Sequence, residues 1–256
     1  MTDIHSHILW SVDDGPPTIE KSLEMLAVAA DNGITDIVAT PHANPRYIFQ
    51  RDVVLDRIAA LTAASASRPR IHYGREFHLT FENVEHLMEN IRTYTINQKQ
   101  YLLVECPDFH VGLHTESFLR NMVDSGIVPI IAHPERNTVL RQKLSRVEAW
   151  VELGCLLQVT ALSFTGAFGQ SARTASHRLL DQGLVHIIAS DCHDPFNRHP
   201  RLTEARDIVR SRCGEEAADV LFGENPRAVV EGAPLPGGKQ IQFRRPARWY
   251  HFWKTS

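Results

Sequence analysis

The stretch Asp31-Asn32-Gly33-Ile34-Thr35-Asp36-Ile37-Val38-Ala39-Thr40-Pro41-His42 carries the pattern on which the fold turns. Upstream of it, Ile19–Asp31 spaces its apolar residues as an amphipathic helix does, and Asn32-Gly33 offers the left-handed residue that often closes one. Downstream, Thr35–Thr40 is a short, partly β-branched apolar run suited to a buried strand, and a histidine follows it. The same unit recurs along the chain. Strands are expected at Asp3–His5, Thr35–Thr40, Arg70–Glu76, Tyr101–Glu105, Val128–Ala132, Cys155–Val159 and Val185–Ser190. Helical segments are expected between them at Ile19–Asp31, Val53–Ala64, His114–Asp124, Val147–Leu153 and Ala172–Asp181, with Gly126, Gly154 and Gly183 as further closing glycines. Strand alternating with helix argues for parallel βαβ units. Seven units without a break predict an α/β single domain, a closed or nearly closed (β/α)7 barrel. A doubly wound open sheet is the competing architecture.

The composition narrows the class. The 256 residues are 43% hydrophobic and 22% charged, as in an ordinary globular protein with a sizeable core. A formal net charge of −3 argues against broad nucleic-acid binding, which draws on a basic excess. There is no apolar run of membrane-spanning length, and Met1-Thr2-Asp3-Ile4-His5 does not resemble a secretory signal. Cys106, Cys155, Cys192 and Cys213 are scattered, with no CxxC pair, so reduced thiols and a cytoplasmic location are expected.

The chemistry lies at the strand ends. In His5-Ser6-His7 and Asp191-Cys192-His193 the spacing i, i+2 on a strand puts both side chains on one side, within reach of one ion. Either motif alone is weak. The combination is not, because His42 follows the second run, Glu76 ends the third, Glu105 ends the fourth, His133 follows the fifth and Asp14 sits in the loop after the first. Six of the seven expected strands thus place a ligand-type side chain at or beyond the C-terminal end, the rim where barrel active sites form. Imidazoles and carboxylates suit manganese, iron or zinc, and nine candidates exceed the needs of one ion. Such a cluster would lower the pKa of a bridging water and clamp the attacking and leaving oxygens of a phosphate. Arg136 and Arg198 closely follow ligand motifs, and a guanidinium fork matches two phosphate oxygens.

His5-x-His7, Asp13-Asp14-Gly15, Thr40-x-His42, Glu76, Glu105, His133-Pro134-Glu135-Arg136 and Asp191-x-His193 together resemble the motifs of the polymerase-and-histidinol-phosphatase (PHP) superfamily. The opening Asp3-Ile4-His5-Ser6-His7-Ile8, followed by Val12-Asp13-Asp14-Gly15-Pro16, more narrowly resembles the bacterial manganese-dependent tyrosine-protein phosphatases of capsule and exopolysaccharide operons. The resemblance covers about residues 1–230. It implies a distorted TIM-like (β/α)7 barrel over residues 1–231 that hydrolyses phosphotyrosine on protein with a metal-activated hydroxide. It also implies three divalent metal ions, manganese first and iron or zinc as alternatives. His5, His7, Glu76 and Asp191 would bind one; Glu76, Glu105 and His133 the second; Asp14, His42 and His193 the third. Arg136 and Arg198 would hold the phosphate. The implied partner is a bacterial tyrosine autokinase controlling polysaccharide synthesis.

Rival readings are weaker on chemistry. Cys192 and Arg198 have the Cys-x5-Arg spacing of thiol phosphatases, but the loop between them lacks the small residues of a phosphate cradle, and Asp191 and Asp194 disfavour a thiolate. Histidinol phosphate or another small phosphomonoester is the alternative substrate class, and a non-catalytic module of an export complex is the alternative outside enzymes. An amidohydrolase would leave Asp14, His42 and His193 unused. Phe77-His78 and Phe109-His110 add imidazoles that are expected at the surface, and Trp10 could line the substrate mouth or pack inside. Residues 232–256 form a tail with five Lys/Arg and five aromatics, expected to pack on the barrel, with membrane-surface contact the less favoured role.

Overall fold

The computed structural model describes residues 1–236 except 49, 67, 81–83, 85–86, 88–89, 108–110 and 113. The expected runs all become strands: β1 (Thr2–Ser6), β2 (Asp36–Ala39), β3 (His42–Ala43), β4 (Arg70–Tyr73), β5 (Glu76–His78), β6 (Tyr101–Glu105), β7 (Val128–Ala132), β8 (Leu156–Thr160) and β9 (Ile187–Ala189). They form two parallel ladders, β1-β2-β4 and β3-β5-β6-β7-β8-β9. The second expected strand resumes past its end as β3 after a break at Thr40-Pro41, the third is broken in two at Gly74-Arg75, and the ladders meet at those breaks. Pro41 has no N–H to give to a ladder, which explains the first break. Its carbonyl still accepts from the Glu76 N–H at 3.3 Å.

The ring closes between its first and last strands. Ser6 bridges Cys192 in parallel, the Asp191 N–H donates to the His5 carbonyl, and the His7 N–H donates to the Cys192 carbonyl, both at 2.9 Å. Seven strand lines therefore make a barrel, and the open sheet is excluded.

Helices α1 (Ile19–Asp31), α2 (Arg51–Ala64), α3 (Thr115–Asp124), α4 (Leu144–Leu153), α5 (Ala161–Thr165) and α6 (Gly169–Asp181) fill the connections. Three begin two or three residues before the expected start; the added residues of α2 and α6 are polar or glycine and lack the apolar period, whereas α4 adds the buried Leu144. Beyond residue 200 the sequence reading placed no helix, yet α7 (Thr203–Cys213), α8 (Glu215–Asp219), a π-helical turn (Val220–Glu224) and α9 (Asn225–Glu231) follow. In α7 only Ala205 and Val209 are buried, so charged side chains mask its apolar stripe.

Period-two alternation divides the core into two layers. Ile37, Leu102, Val104, Ile131 and Leu157 join an outer layer with Met25 and Leu26 of α1, Leu119 of α3 and Trp150 of α4. Val38, Leu103, Ile130, Leu156 and Ile187 form an inner cluster with Val229 and Val230 of α9. Each large apolar side chain so buried contributes about 1.5–3 kcal/mol. Residues 232–236 leave α9 along this end: the Tyr101 hydroxyl donates to the Ala233 carbonyl at 2.6 Å, and Gln100 Nε2 donates to the Gly232 carbonyl at 2.7 Å. The rest of the expected tail, residues 237–256, lies outside the described residues.

Gly74 stands where a Cβ would come within 2.7 Å of Val38 Cγ1 and 3.1 Å of Thr40 Cγ2. Gly74→Ala is expected to lower stability by about 1–3 kcal/mol through overpacking. A midpoint in urea unchanged from the parent protein would contradict this account of the broken strand.

Candidate metal centre

The centre is built on distorted backbone. In β1 the register moves from Asp3 opposite Ile37 to Ser6 opposite Ala39, so one extra residue is inserted between them. The buried Asp3 carboxylate secures this irregularity. Its Oδ1 accepts from the His5 N–H (3.3 Å) and the Ser190 N–H (3.0 Å), and its Oδ2 from the Ser190 hydroxyl (2.5 Å). His133 and Asp191 lie just past β7 and β9 with φ of +32° and +53°. Side-chain-bearing residues adopt that region at a cost, and such residues cluster at functional sites.

Each ring is oriented from behind. His5 Nδ1 donates to Gln158 Oε1 at 2.9 Å, and His7 Nδ1 donates to Asp13 Oδ2 at 2.7 Å. Asp13 also accepts from the backbone N–H groups of Gly15 and His42, both at 3.0 Å. These bonds leave the Nε2 atoms of His5 and His7 facing each other at 3.3 Å. Glu76 sits between the rings: Oε1 is 3.2 Å from His5 and 3.0 Å from His133, and Oε2 is 3.3 Å from His7 and 3.0 Å from His42. Glu105 lies 3.8 Å from both His42 and His133. Asp14 reaches His42 at 3.3 Å and His193 at 3.4 Å, and Asp191 Oδ1 is 3.4 Å from His5.

All nine side chains expected from the sequence thus converge. Within 4.8 Å, ligand atoms group as His7, Asp14, His42 and His193; His5, His7 and Glu76; His5, His133 and Asp191; and His42, Glu76 and Glu105. Among the described residues no other side chain enters these groups.

The arrangement fits cations. Two Nε2 atoms whose rings have each given their Nδ1 proton away present lone pairs to each other, and a positive ion between them removes that repulsion. Glu76 Oε2 and His42 Nδ1 are buried with no hydrogen-bond partner. Burial, with Glu76 beside it, pushes Glu105 up to about 8. Although burial opposes it, the Asp13 carboxylate raises His7 to about 9.

The two arginines meet at the other oxygen of Asp191. Arg136 Nη1 and Arg198 Nη2 both donate to Oδ2, the latter at 2.7 Å. Their guanidinium carbons lie 4.3 and 5.8 Å from the centre of the Phe168 ring. Glu135 is fully buried, and its Oε1 accepts from the Thr160 N–H (3.0 Å) and the Ser163 hydroxyl (2.7 Å), tying the His133–Arg136 turn to β8 and α5.

Sequence reasoning did not name Asp13, Gln158 or Phe168 as site residues. Asp13 stood inside a quoted motif, and Gln158 is the one polar residue of the run Leu156–Val159. Phe168 gives no local signal, because its partners arrive from other strands. Cys192 is fully buried in the outer layer, where burial, reinforced by Asp3, pushes its thiol well above the ordinary range. Both its burial and that shift argue against a thiolate nucleophile. Trp10 is partly buried against the outer layer, under the Arg57 guanidinium at 4.2 Å. His78 is half-buried, and residues 109–110 lie outside the described residues.

Fold and site together define a parallel (β/α)7 barrel with a buried cluster of His, Asp and Glu side chains suited to metal at the C-terminal rim. The family described as capsular polysaccharide synthesis, CpsB/CapC, matches residues 1–231, and the chain belongs to it. CapC of Staphylococcus aureus is 37% identical over 254 residues, covering 98% of this chain and 99% of that protein. The tyrosine-protein phosphatase YwqE of Bacillus subtilis is 32% identical over 96% of this chain and 95% of its own length. A crystal structure from work on YwqE and on CpsB of Streptococcus pneumoniae, described as unique metal-dependent tyrosine phosphatases, superposes with a TM-score of 0.86 at 30% identity, covering 96% of this chain and 100% of that one. A β-aspartyl dipeptidase from Fervidobacterium islandicum shares the fold alone, with a TM-score of 0.58 at 14% identity over 96% of this chain and 76% of that one. Among the described residues no helix is long and apolar enough to cross a membrane.

Metal removal should be visible without any substrate. Stripping ions with a chelator is expected to lower the melting temperature, and Mn²⁺ at about 100 times its dissociation constant to restore about 2.7 kcal/mol. A melting curve indifferent to chelator and Mn²⁺ would show that the cluster holds no ion.

Proposed function

We propose that this chain removes phosphate from phosphotyrosine in protein, using three divalent cations, manganese by preference. The observation that carries the reading is the convergence of nine ligand side chains with two guanidiniums poised on Asp191. In this reading His5, His7, Glu76 and Asp191 hold one ion, Glu76, Glu105 and His133 a second, and Asp14, His42 and His193 a third. The short distances around Glu76 and around Asp14 support that division. The second set is the loosest, since Glu105 groups with Glu76 and His42 rather than with His133.

When bound, such ions supply Lewis-acid charge and bring the pKa of water toward neutrality. The chain's own residues do the rest. Gln158 and Asp13 fix which nitrogen of His5 and His7 faces inward. Arg136 and Arg198 turn from Asp191 Oδ2 to the phosphate oxygens, where a planar fork gives two parallel hydrogen bonds. Phe168 backs both guanidiniums and limits their excursion. The fully buried His5, Glu76 and Asp191 keep water out of the floor of the site.

The family's link to capsular polysaccharide synthesis and the named activity of YwqE support a tyrosine kinase of polysaccharide synthesis as the substrate. No disulfide joins Cys106, Cys155, Cys192 or Cys213, in keeping with work in the reducing cytoplasm.

Turnover of a phosphotyrosyl peptide and of histidinol phosphate, measured in Mn²⁺, Fe²⁺ and Zn²⁺ with a chelator control, tests the reading. Preference for the peptide and loss with chelator are expected; a clear preference for histidinol phosphate would reverse the substrate. Arg136→Lys should cost about 1.5–3 kcal/mol of transition-state stabilisation, on the order of 10- to 100-fold in kcat/KM, because the fork is lost. Phe168→Ala should raise KM by up to about tenfold, with partial rescue by Phe168→Tyr. Cys192→Ser should keep most turnover, and a dead Cys192→Ser enzyme with its metals still bound would revive the thiol route.

A further inference from the structure

The nine ligands are unequally exposed. The Asp14 side chain is 46% exposed, Glu105 18% and His42 14%, and the other six at most 8%. A phosphoester therefore approaches from the side of Asp14, and its organic half must point outward there. A cleft of about 350 Å³ opens at that place, with Asp14, His193 and Arg198 along its inner edge. Gly15, Pro16, Pro17 and Pro195 form its walls, and Lys21 stands among its lining residues.

Both walls are held in shape without a ligand. Asp194 Oδ1 accepts from the Phe196 and Asn197 N–H groups at 2.7 and 2.6 Å, and its Oδ2 accepts from the Arg198 N–H at 3.1 Å. Opposite, Ser11 donates from its N–H to the Pro16 carbonyl (3.0 Å) and from its hydroxyl to the Pro17 carbonyl (2.8 Å). Gly15 is required in this wall, since a Cβ there would lie 2.3 Å from the His7 carbonyl oxygen. A preformed cleft with saturated proline faces can cover a flat ring at little ordering cost.

The outer rim carries a second signal. Among the described residues, the large apolar side chains left exposed are Phe196 (69%) and Ile48 (78%). Each lies on a loop that follows a ligand, His193 or His42. The Lys21 ammonium sits 5.4 Å from the centre of the Phe196 ring, and its ion pair with Glu24 (2.7 Å) is an exposed, weak one.

We propose that this cleft is the subsite for the phenyl ring of phosphotyrosine and its flanking residues, and that Phe196 and Lys21 select an acidic peptide over a small ester. The proposal rests on the phosphotyrosine reading above. The proline walls take the ring, Phe196 covers the peptide on the ring's outer side, and Lys21 pairs with a carboxylate of a neighbouring residue. A small alkyl phosphate would occupy the ions and arginines but leave the cleft empty.

The test measures kcat/KM of the Mn²⁺-loaded full chain for three substrates: an acidic phosphotyrosyl peptide, the same peptide with neutral flanks, and p-nitrophenyl phosphate. Phe196→Ala should reduce the ratio of peptide to p-nitrophenyl phosphate by about tenfold for both peptides, the loss residing in KM. Lys21→Glu should reduce the ratio of acidic to neutral peptide by about three- to fivefold. Both positions are exposed, and a thermal melt confirms that each variant is folded. Ratios within twofold of the parent's in both folded variants overturn the subsite. Failure of the underlying reading looks different: the parent enzyme would then hydrolyse other phosphoesters while leaving both peptides untouched.

Discussion

Four carboxylates and five imidazoles packed on one rim, most of them out of reach of water, impose the constraint on which the rest of this molecule depends. Buried negative charge that is unpaired costs several kcal/mol per group, and an imidazole offsets it only when it carries a proton of its own. The protein itself supplies little compensation. Arg136 and Arg198 both donate to Asp191, and among the described residues no arginine or lysine ion pair reaches Glu76, Glu105 or Asp14. Three dications would exceed the charge of the four carboxylates, and the surplus suits a phosphate dianion. With three such ions bound, affinity for metal and affinity for substrate would arise from one electrostatic imbalance.

The barrel meets this demand by departing from regularity at the rim. A perfect strand would present alternate residues to the inside, which cannot bring nine side chains of different lengths to a common centre. The extra residue in β1, the breaks at Pro41 and Gly74, and the positive φ at His133 and Asp191 re-aim individual side chains. Below the rim the strands are regular, and the apolar layers on both faces hold them. Stability generated in the lower barrel therefore offsets the strain held at the top. Asp3 shows how local that coupling is, since a buried carboxylate accepting three hydrogen bonds both fixes the irregular strand and joins it to the last one.

Much of this was legible in the sequence. Helix–glycine–strand repeats predicted seven strands, and the ligands were visible because each ends or follows an apolar run, as His133 follows Val128–Ala132. What stayed hidden shares a physical cause. The strand breaks depend on close approach between neighbouring chains, as at Gly74 against Val38, which no single strand records. The C-terminal helices were missed because their buried faces are small and alanine-rich, as Ala205, Ala217 and Ala218 show. Gln158 and Phe168 act on residues that are remote in sequence, so their roles exist only once the ring is closed. The sixth strand, which offered no ligand, turned out to supply the group that holds one.

The uneven exposure of the centre carries the argument one step further. Ligands at the floor come from strands that are hydrogen-bonded on both sides, whereas Asp14 comes from a loop and is the most open of the nine. An ion held by Asp14, His42 and His193 would have the freest exchange with solvent, and one enclosed by His5, Glu76 and Asp191 the slowest. The Asp13-Asp14-Gly15 turn links these extremes, because Asp13 orients His7 while its neighbour Asp14 faces the open side. Gly15 lets that turn press against the His7 carbonyl. A movement of this turn would therefore alter both the hold on metal and the shape of the cleft wall. On the proposed assignment, metal occupancy and the fit of the ester's organic half would be coupled through three consecutive residues.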